Sequence, residues 1–323
     1  RLGDPTAAQR VAAEALQIAE TVGDPLSIAD ACIRAAITIQ FEEPARARTL
    51  FRRALEISTA IGENVRRVRC FVNLGVLELY ENNWDAARSA FGSGVDEARA
   101  AGLTELWALG SLNLGVTAAR VGEYDEAAQY LGEALRLSAV VQNSELQLYA
   151  AYNLAHLERD RGRSREAADT YELVMALAER IGQAEVQEGA RAAFGLIRLE
   201  SGREEEARRA AECIAPFLAT RTDWFQGREL AEALLLRLLL LDRAHDRAVE
   251  AFTRALTLAH PTDIYGAAWL TAEFGDELRP FAGDIVQAAI ERYATRPEVL
   301  GNPKIRDRLT VLLIDSKSTI DRS

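Results

Sequence analysis

The sequence predicts an all-α protein, a solenoid of stacked antiparallel helix hairpins that ends in a helical cap. Three observations predict this fold: a repeated pair of packing residues, turn residues placed between the repeated segments, and only 8 prolines in 323 residues. Proline breaks the interior of a helix, so its scarcity suits a chain built from long helices.

The repeat is marked by an alanine that precedes a second packing residue by four positions. Because residues i and i+4 lie on one face of a helix, each pair marks the same packing stripe. The pairs recur every 40 residues, with a last step of 41: Ala47–Phe51, Ala87–Phe91, Ala127–Leu131, Ala167–Tyr171, Ala207–Ala211 and Ala248–Phe252. One hairpin cannot bury its own apolar face, so neighbouring hairpins must stack to form a core.

A second mark lies upstream of each pair and keeps the same period. It begins with Asn73, Asn113 and Asn153, each followed by leucine and a small residue. A glycine or an asparagine lies between the two marked segments, and another glycine follows the second segment. Both residue types tolerate the left-handed conformation that ends a helix. These breakers are Asn82, Gly122, Gly162 and Gly202 within the units and Gly23, Gly62, Gly102 and Gly182 after them. The unit is therefore helix, turn, helix, turn.

These residues resemble the signature of the tetratricopeptide repeat (TPR). The matching positions are Leu74, Gly75, Ala87, Phe91 and Gly94, and again Leu114, Gly115, Ala127, Leu131 and Ala134. The usual unit has about 34 residues, so each helix here is expected to be longer by most of a turn. The long unit is similar to the sensor repeats of bacterial MalT-like and AfsR-like signalling ATPase regulators and to kinesin light chain repeats. The resemblance implies a right-handed superhelix whose first helices line a concave groove.

The expected organisation is a TPR solenoid over residues 1–260 and a cap over residues 261–323. Residues 1–22 match only the second helix of a unit, so we expect a longer protein whose missing part precedes Arg1. Six hairpins follow from Pro25 to His260, with departures from the pattern at Ile214–Pro216 and around Thr222–Asp223. The cap is expected to contain helices at 264–279, 282–295 and 303–315 and a frayed tail at 316–323.

Composition excludes several classes of function. The formal charge of −11 disfavours nucleic-acid binding by this segment, because an acidic chain repels phosphate backbones. No membrane span or signal peptide is visible; the apolar stretch Leu234–Leu241 predicts a helix buried by a neighbouring element. Cys32, Cys70 and Cys213 are far apart, which predicts small buried residues in a reducing, cytoplasmic setting and neither a metal site nor a cofactor.

The three in-phase asparagines are the first candidate binding residues. The resemblance places Asn73, Asn113 and Asn153 in the groove, where an amide offers a donor and an acceptor to an extended peptide backbone. The alternative is a structural role, in which each amide bonds to a neighbouring helix.

Arginine, tyrosine and histidine side chains on the same helices are the second set of candidates. Tyrosine and arginine are typical anchors at interfaces, and the arginines could hold a carboxylate or phosphate. The set is Arg69, Arg120, Arg159, Tyr149, Tyr152 and His156. The alternative is ordinary solvated helix surface.

Some aromatic residues have a structural interpretation. Trp84 and Tyr124 begin second helices, where the family packs an aromatic residue into the core. For Trp107, Trp224, Phe225 and Trp269 the sequence leaves core and docking surface open.

The sequence shows no motif of an enzyme, since GxxxxGK[ST], HExxH and GxSxG are all absent. The first functional hypothesis is a non-catalytic module that binds a peptide or protein segment as the sensor or docking region of a larger bacterial regulator. The second, suggested by the MalT resemblance, is a sensor with a small-molecule effector near Tyr149, Tyr152 and Arg159. The third is a scaffold that forms a homodimer through its apolar C-terminal part.

Overall fold

The structure is a computed structural model that describes residues 5–220, 227–258, 265–296, 299 and 303–320. These residues form fifteen α-helices and contain no β-strand. The helices are α1 Pro5–Val22, α2 Pro25–Ile39, α3 Pro44–Ala60, α4 Asn64–Tyr80, α5 Trp84–Ala100, α6 Thr104–Arg120, α7 Tyr124–Val140, α8 Ser144–Asp160, α9 Ser164–Ile181, α10 Ala184–Glu200, α11 Glu204–Thr220, α12 Arg228–Leu241, α13 His245–Leu258, α14 Tyr265–Tyr293 and α15 Pro303–Ile320.

The predicted all-α hairpin fold is confirmed. After α1, six antiparallel helix pairs follow, from α2 and α3 to α12 and α13. In the regular units each helix has 17 residues, as in α4, α5 and α6, and the turns between them have three. Two such helices and two turns make the 40-residue unit, so the extra length over an ordinary tetratricopeptide repeat lies in the helices.

The turns end each helix as the sequence predicts. Gly102 has a φ of 70° and Asn82 a φ of 60°, both in the left-handed region. At the end of α5 the amide of Leu103 donates to the carbonyl of Ala98 at 2.8 Å, which satisfies a carbonyl that the helix itself leaves open. A side chain with a β-carbon is strained in this conformation, which is why glycine or asparagine recurs there.

Glycines in the first helices allow close contact with the second helices. A β-carbon on Gly75 would lie 2.5 Å from the Phe91 ring, and one on Gly115 would lie 2.6 Å from Cγ of Leu131. Ala87 and Phe91 are both fully buried. The signature residues are thus complementary in volume, and this close packing forms the core of each hairpin.

The chain divides into two compact units. Unit 1 contains residues 1–119 and 125–150, and unit 2 contains residues 120–124 and 151–323. The boundary falls within α8. The proposed domain boundary at His260–Pro261 lies outside the described residues, as do Thr222–Asp223, Trp224, Phe225 and the tail after Ile320.

In unit 2, α12 is surrounded by other helices, as its apolar sequence predicts. Leu234, Leu236 and Leu238 are buried, and a β-carbon on Gly195 of α10 would lie 2.7 Å from Leu234. Leu241, at the end of the helix, is 55% exposed. α11 continues through Pro216, where a departure from the pattern was expected.

The cap differs in detail from the prediction. The predicted helices at 264–279 and 282–295 correspond to α14, which is interrupted at Ala282 by a backbone with φ −148° and ψ 48°, two residues after Pro280. The last helix extends to Ile320 rather than ending at 315.

Two predictions of burial were wrong. Cys32 and Cys70 are buried, but Cys213 is exposed, because it lies on the outer face of α11 while the next residue, Ile214, faces inward. Trp84 and Tyr124 are half-buried, since each stands at the first position of its helix, where the turn leaves one side of the ring open. Among the described helices, none is long and apolar enough to cross a membrane.

Candidate ligand-binding groove

The first helices of the hairpins in unit 1 line a groove with a volume of about 620 Å³. α2, α4, α6 and the beginning of α8 each contribute side chains. The lining residues are Asp30, Ile33, Arg34, Ile37, Arg69, Val72, Asn73, Glu105, Leu106, Leu109, Leu112, Asn143, Glu145, Leu146 and Tyr149. The helices that the family resemblance assigned to a concave surface do line one.

The floor of this groove is apolar. Residues three or four apart on one helix share a face, which brings Ile33 together with Ile37 on α2 and Leu109 with Leu112 on α6. Val72 of α4 is 6% exposed and lies between them in the order of the stack. Such a floor can bury apolar side chains of a ligand at about 25 cal/mol per Å² of apolar surface.

Two arginines give one end of the groove a positive charge. Arg34 of α2 and Arg69 of α4 are exposed. Within the described part of the chain neither guanidinium has an ion pair or a hydrogen bond. The nearby Asp30 does not neutralise them, because its carboxylate is held by Arg66 through bonds of 2.9 and 2.8 Å. Both arginines are therefore available to an anionic group of a ligand.

The opposite end, at α6 and α8, is acidic. Asn143 precedes α8; its amide nitrogen donates to Glu105 at 2.8 Å and its carbonyl oxygen accepts from the amide of Leu146 at 2.9 Å. Asn143 thus caps α8 and fixes Glu105 at the same time. Glu145 is exposed and, among the described residues, has no hydrogen bond or ion pair.

The side chains of Asn73 and Asn113 bond to their own helices. The amide nitrogen of Asn73 donates to the carbonyl of Arg69 at 2.7 Å, and that of Asn113 donates to the carbonyl of Leu109 at 3.0 Å. Each bond uses one of the two amide N–H groups and leaves the second N–H and the side-chain carbonyl for other partners. Asn73 lines the groove, Asn113 is not among its lining residues, and Asn153 belongs to unit 2, where its side chain has a partner.

The other predicted site residues of unit 2 form a buried cluster. Tyr152 and His156 of α8 have ring centroids 4.3 Å apart, and His156 lies 5.7 Å from Tyr171 of α9. Arg159, one turn further along α8, bonds to the Asp160 carboxylate at 3.0 Å and lies over the Trp269 ring at 5.3 Å. Arg120, also in unit 2, is half-buried and has a partner.

Burial decides the protonation states in this cluster. It lowers the pKa of His156 to about 3, with the positive charge of Arg159 as the second cause, so the imidazole is neutral near pH 7. Burial also raises the pKa of the Tyr152 and Tyr171 hydroxyls well above their ordinary value. For Arg159 burial opposes the charge, but Tyr171 and Asp160 outweigh it, so its pKa is raised and the guanidinium stays charged.

The structure therefore brings Arg69, Asn73 and Tyr149 together in one groove and Tyr152, His156 and Arg159 in a separate cluster. The sequence interpretation missed Arg34, Asn143 and Glu145. The 40-residue period of the asparagines does not lead to Arg34, because the position 40 residues before Asn73 is Ile33. No group of three metal-binding side chains is present among the described residues.

Comparisons with known proteins agree with this architecture. Residues 106–180 match the family model of the tetratricopeptide repeat. A search of curated proteins found no match.

Several solved structures share the fold. The apo form of RapI has a TM-score of 0.60 at 15% identity, covering 94% of this chain and 94% of that chain. A signal transduction ATPase with numerous domains (STAND) and a tetratricopeptide repeat sensor, from Pyrococcus horikoshii, has a TM-score of 0.62 at 16% identity; 87% of this chain aligns with 43% of that one. Aspartyl phosphate phosphatase F from Bacillus subtilis has a TM-score of 0.57 at 15% identity, covering 80% of this chain and 66% of that chain.

At these identities the likeness concerns the fold alone. Residues 106–180 are thus matched to the tetratricopeptide repeat by sequence, and the solved structures share the helical fold of the chain.

Proposed function

We propose that this chain is a non-catalytic binding module whose unit 1 groove holds an extended peptide or protein segment. The observation that supports this most is that the two ends of the groove carry opposite charges. Unpaired guanidiniums of Arg34 and Arg69 lie on α2 and α4, an apolar floor follows, and the unpaired carboxylate of Glu145 lies on α8.

A peptide with a free N-terminal ammonium and a free C-terminal carboxylate fits these two charged ends. Its C-terminal carboxylate would bind Arg34 and Arg69, and its N-terminal ammonium would bind Glu145 and Glu105. Alternate apolar side chains would lie on the floor, and the second N–H of Asn73 would reach a backbone carbonyl. Neighbouring helices lie about 8–10 Å apart and an extended chain rises about 3.3 Å per residue, so four helices span roughly eight residues.

We further propose that the chain serves as the sensor or docking part of a larger cytoplasmic regulator. The likeness to a STAND protein with a tetratricopeptide repeat sensor supports this, since that protein joins the same fold to an ATPase. The finer assignment to MalT-like or AfsR-like regulators rests on the length of the repeat unit.

The test uses a positional library of octapeptides in two forms, one with a free C-terminal carboxylate and one amidated. We expect fluorescence polarisation to detect binding of apolar acid-form peptides and a loss of roughly tenfold or more on amidation, because a charge-assisted hydrogen bond contributes about 1.5–3 kcal/mol. The variant R34Q/R69Q should bind both forms equally weakly.

The matched control is R10Q on α1, an exposed arginine outside the groove. Equal binding of acid and amide forms by the wild type would contradict the proposed orientation. Binding that survives R34Q/R69Q unchanged would place the peptide elsewhere, and turnover of a bound peptide would contradict the non-catalytic part of the proposal.

A further inference from the structure

Within the cluster on α8 and α9 of unit 2, four buried polar atoms have no hydrogen-bond partner. They are the Tyr152 hydroxyl, Nε2 of His156, Nη1 of Arg159 and the Tyr171 hydroxyl. Leaving a buried polar group unsatisfied is unfavourable, and native proteins rarely place several together without water or a ligand. The concentration of such groups at one place on α8 and α9 therefore calls for a partner.

A cavity of about 440 Å³ opens beside Arg159. α8, α10, α12 and α14 line it, and α11 and α15 add Glu204 and Lys304. Part of its wall is apolar and aromatic, with Leu196, Leu199 and Trp269 among the lining residues, and charged side chains form the rest. A small organic molecule with an apolar body fits a cavity of this size and character.

Two of the positive charges that line this cavity, Arg159 and Lys304, lie beside Asp160. Nε and Nη2 of Arg159 both bond to Oδ1 of Asp160, at 3.3 and 3.0 Å, which leaves Nη1 without a partner. Nζ of Lys304 donates to the backbone carbonyl of the same Asp160 at 3.3 Å and has two further N–H groups. Arg159 and Lys304 both line the cavity and both bond to Asp160, so their two positive charges act on the same part of a bound ligand.

The remaining charges limit the ligand to a single negative charge. Arg237 is already held by Glu273 at 2.6 Å and by Glu277. Glu204 also lines the cavity, and Arg208 holds it at 2.7 Å. Glu200 also lines the cavity and, within the described residues, its carboxylate has no partner. A dianion such as phosphate would be repelled by this carboxylate more strongly than a monocarboxylate would.

We propose that this cavity is a second binding site, separate in function from the peptide groove, for a small monocarboxylate with an apolar body. The carboxylate accepts hydrogen bonds from Arg159 and Lys304, and the apolar body packs on Trp269 and the two leucines. Arg159 links the site to the buried cluster. Its side chain lines the cavity, and its charge interacts with Tyr171 of the cluster. The ligand would thereby compensate a buried charge that the protein alone leaves partly unsatisfied.

The test measures binding of 4-phenylbutyrate and octanoate to the full chain by isothermal titration calorimetry and by thermal shift. The neutral probe is 4-phenylbutyramide, and the anion without an apolar body is inorganic phosphate. We expect both carboxylates to bind and to raise the melting temperature. The amide and phosphate should bind at least tenfold more weakly.

Two variants locate the carboxylate. R159Q should weaken binding by roughly tenfold to a hundredfold and K304Q by roughly tenfold, whereas R203Q, whose side chain is 55% exposed and outside the cavity, should leave it unchanged. If R159Q fails to fold by circular dichroism, the exposed K304Q decides. Failure of both carboxylates to bind in the millimolar range, equal binding of the amide, or binding that K304Q and folded R159Q leave intact would each overturn the proposal.

Discussion

The first helices of the repeats present different chemistry in the two units. In unit 1 they carry unpaired charges in solvent, on Arg34, Arg69 and Glu145, above an apolar floor. In unit 2, Tyr152, His156 and Arg159 carry buried polar atoms that have no hydrogen-bond partner. The packing residues that repeat every 40 positions are common to both units. The difference teaches that the repeat determines the scaffold, while the residues between its marks determine what each face can bind.

The largest expected effect concerns the packing that the two units share. G75A in unit 1 and G195A in unit 2 should each lower the free energy of unfolding by about 1–3 kcal/mol. A β-carbon at these positions would lie 2.5 Å from Phe91 and 2.7 Å from Leu234. Chemical denaturation followed by circular dichroism measures the change.

The control for both is G92A on α5, where nothing lies within 4 Å of the added β-carbon. It should stabilise the protein by about 0.5–1 kcal/mol, because alanine favours the helix. If G75A and G92A behaved alike, the close contact between paired helices would not be a determinant of stability.

The stability of the protein should depend on pH through His156 of unit 2. The folded-state pKa of His156 is lowered to about 3, whereas an unfolded histidine titrates near 6.5. As the pH falls from 6.5 towards 3 the unfolded chain takes up a proton that the folded chain does not, so stability is lost in this range and is constant above it. We expect a loss of about 1–2 kcal/mol between pH 7 and pH 5 that H156Q abolishes.

The matched variant is H245Q, which removes a histidine of α13 away from this cluster. Denaturation midpoints at pH 5, 6 and 7 should keep the wild-type slope in H245Q. A slope that persists in H156Q would show that His156 is not the group that titrates.

Removal of a buried hydroxyl should change the free energy of unfolding in opposite directions in the two units. Y171F deletes a buried hydroxyl without a partner and should raise the free energy of unfolding by about 1 kcal/mol in the absence of ligand. S111A in unit 1 deletes a hydroxyl that donates to Glu133 at 2.8 Å and should lower it by about 0.5–1 kcal/mol. A loss of stability in both variants would indicate that Tyr171 does have a partner in solution.

The smallest expected effect on stability is that of the groove arginines. R34Q and R69Q should change the free energy of unfolding by no more than about 0.5 kcal/mol, because both side chains are exposed and unpaired. A larger loss would show that they have a structural role. Denaturation curves of the two variants, measured beside the R10Q control, decide this.

The sequence alone predicted the helices, the turns and the packing of the hairpins because those depend on local and periodic signals. Gly102 and Asn82 end helices by their own conformational preference, and Gly75 and Phe91 belong to one in-phase signature. The groove was predicted only in outline. Arg69 and Asn73 were found by their phase, but Arg34 and Glu145 share no periodic mark with them.

The buried cluster could not be predicted because it depends on residues far apart in the sequence. A β-carbon on Gly227 would lie 2.8 Å from the Tyr152 hydroxyl and 2.7 Å from the backbone of Gly189. The enclosure of Tyr152 therefore requires two glycines that no local pattern connects to it. For the same reason the sequence offered Tyr152 and Arg159 as groove residues, whereas Tyr152 is buried and Arg159 is half-buried.

The most direct test of the peptide groove is a reversal of its charge. The variant R34E/R69E should prefer amidated octapeptides with a C-terminal lysine over acid-form peptides, by roughly tenfold, as measured by fluorescence polarisation at low salt. This reversal of the wild-type preference is the predicted result. A variant that retains the wild-type preference for a free carboxylate would show that Arg34 and Arg69 do not bind the peptide end, and the groove would then not be the site.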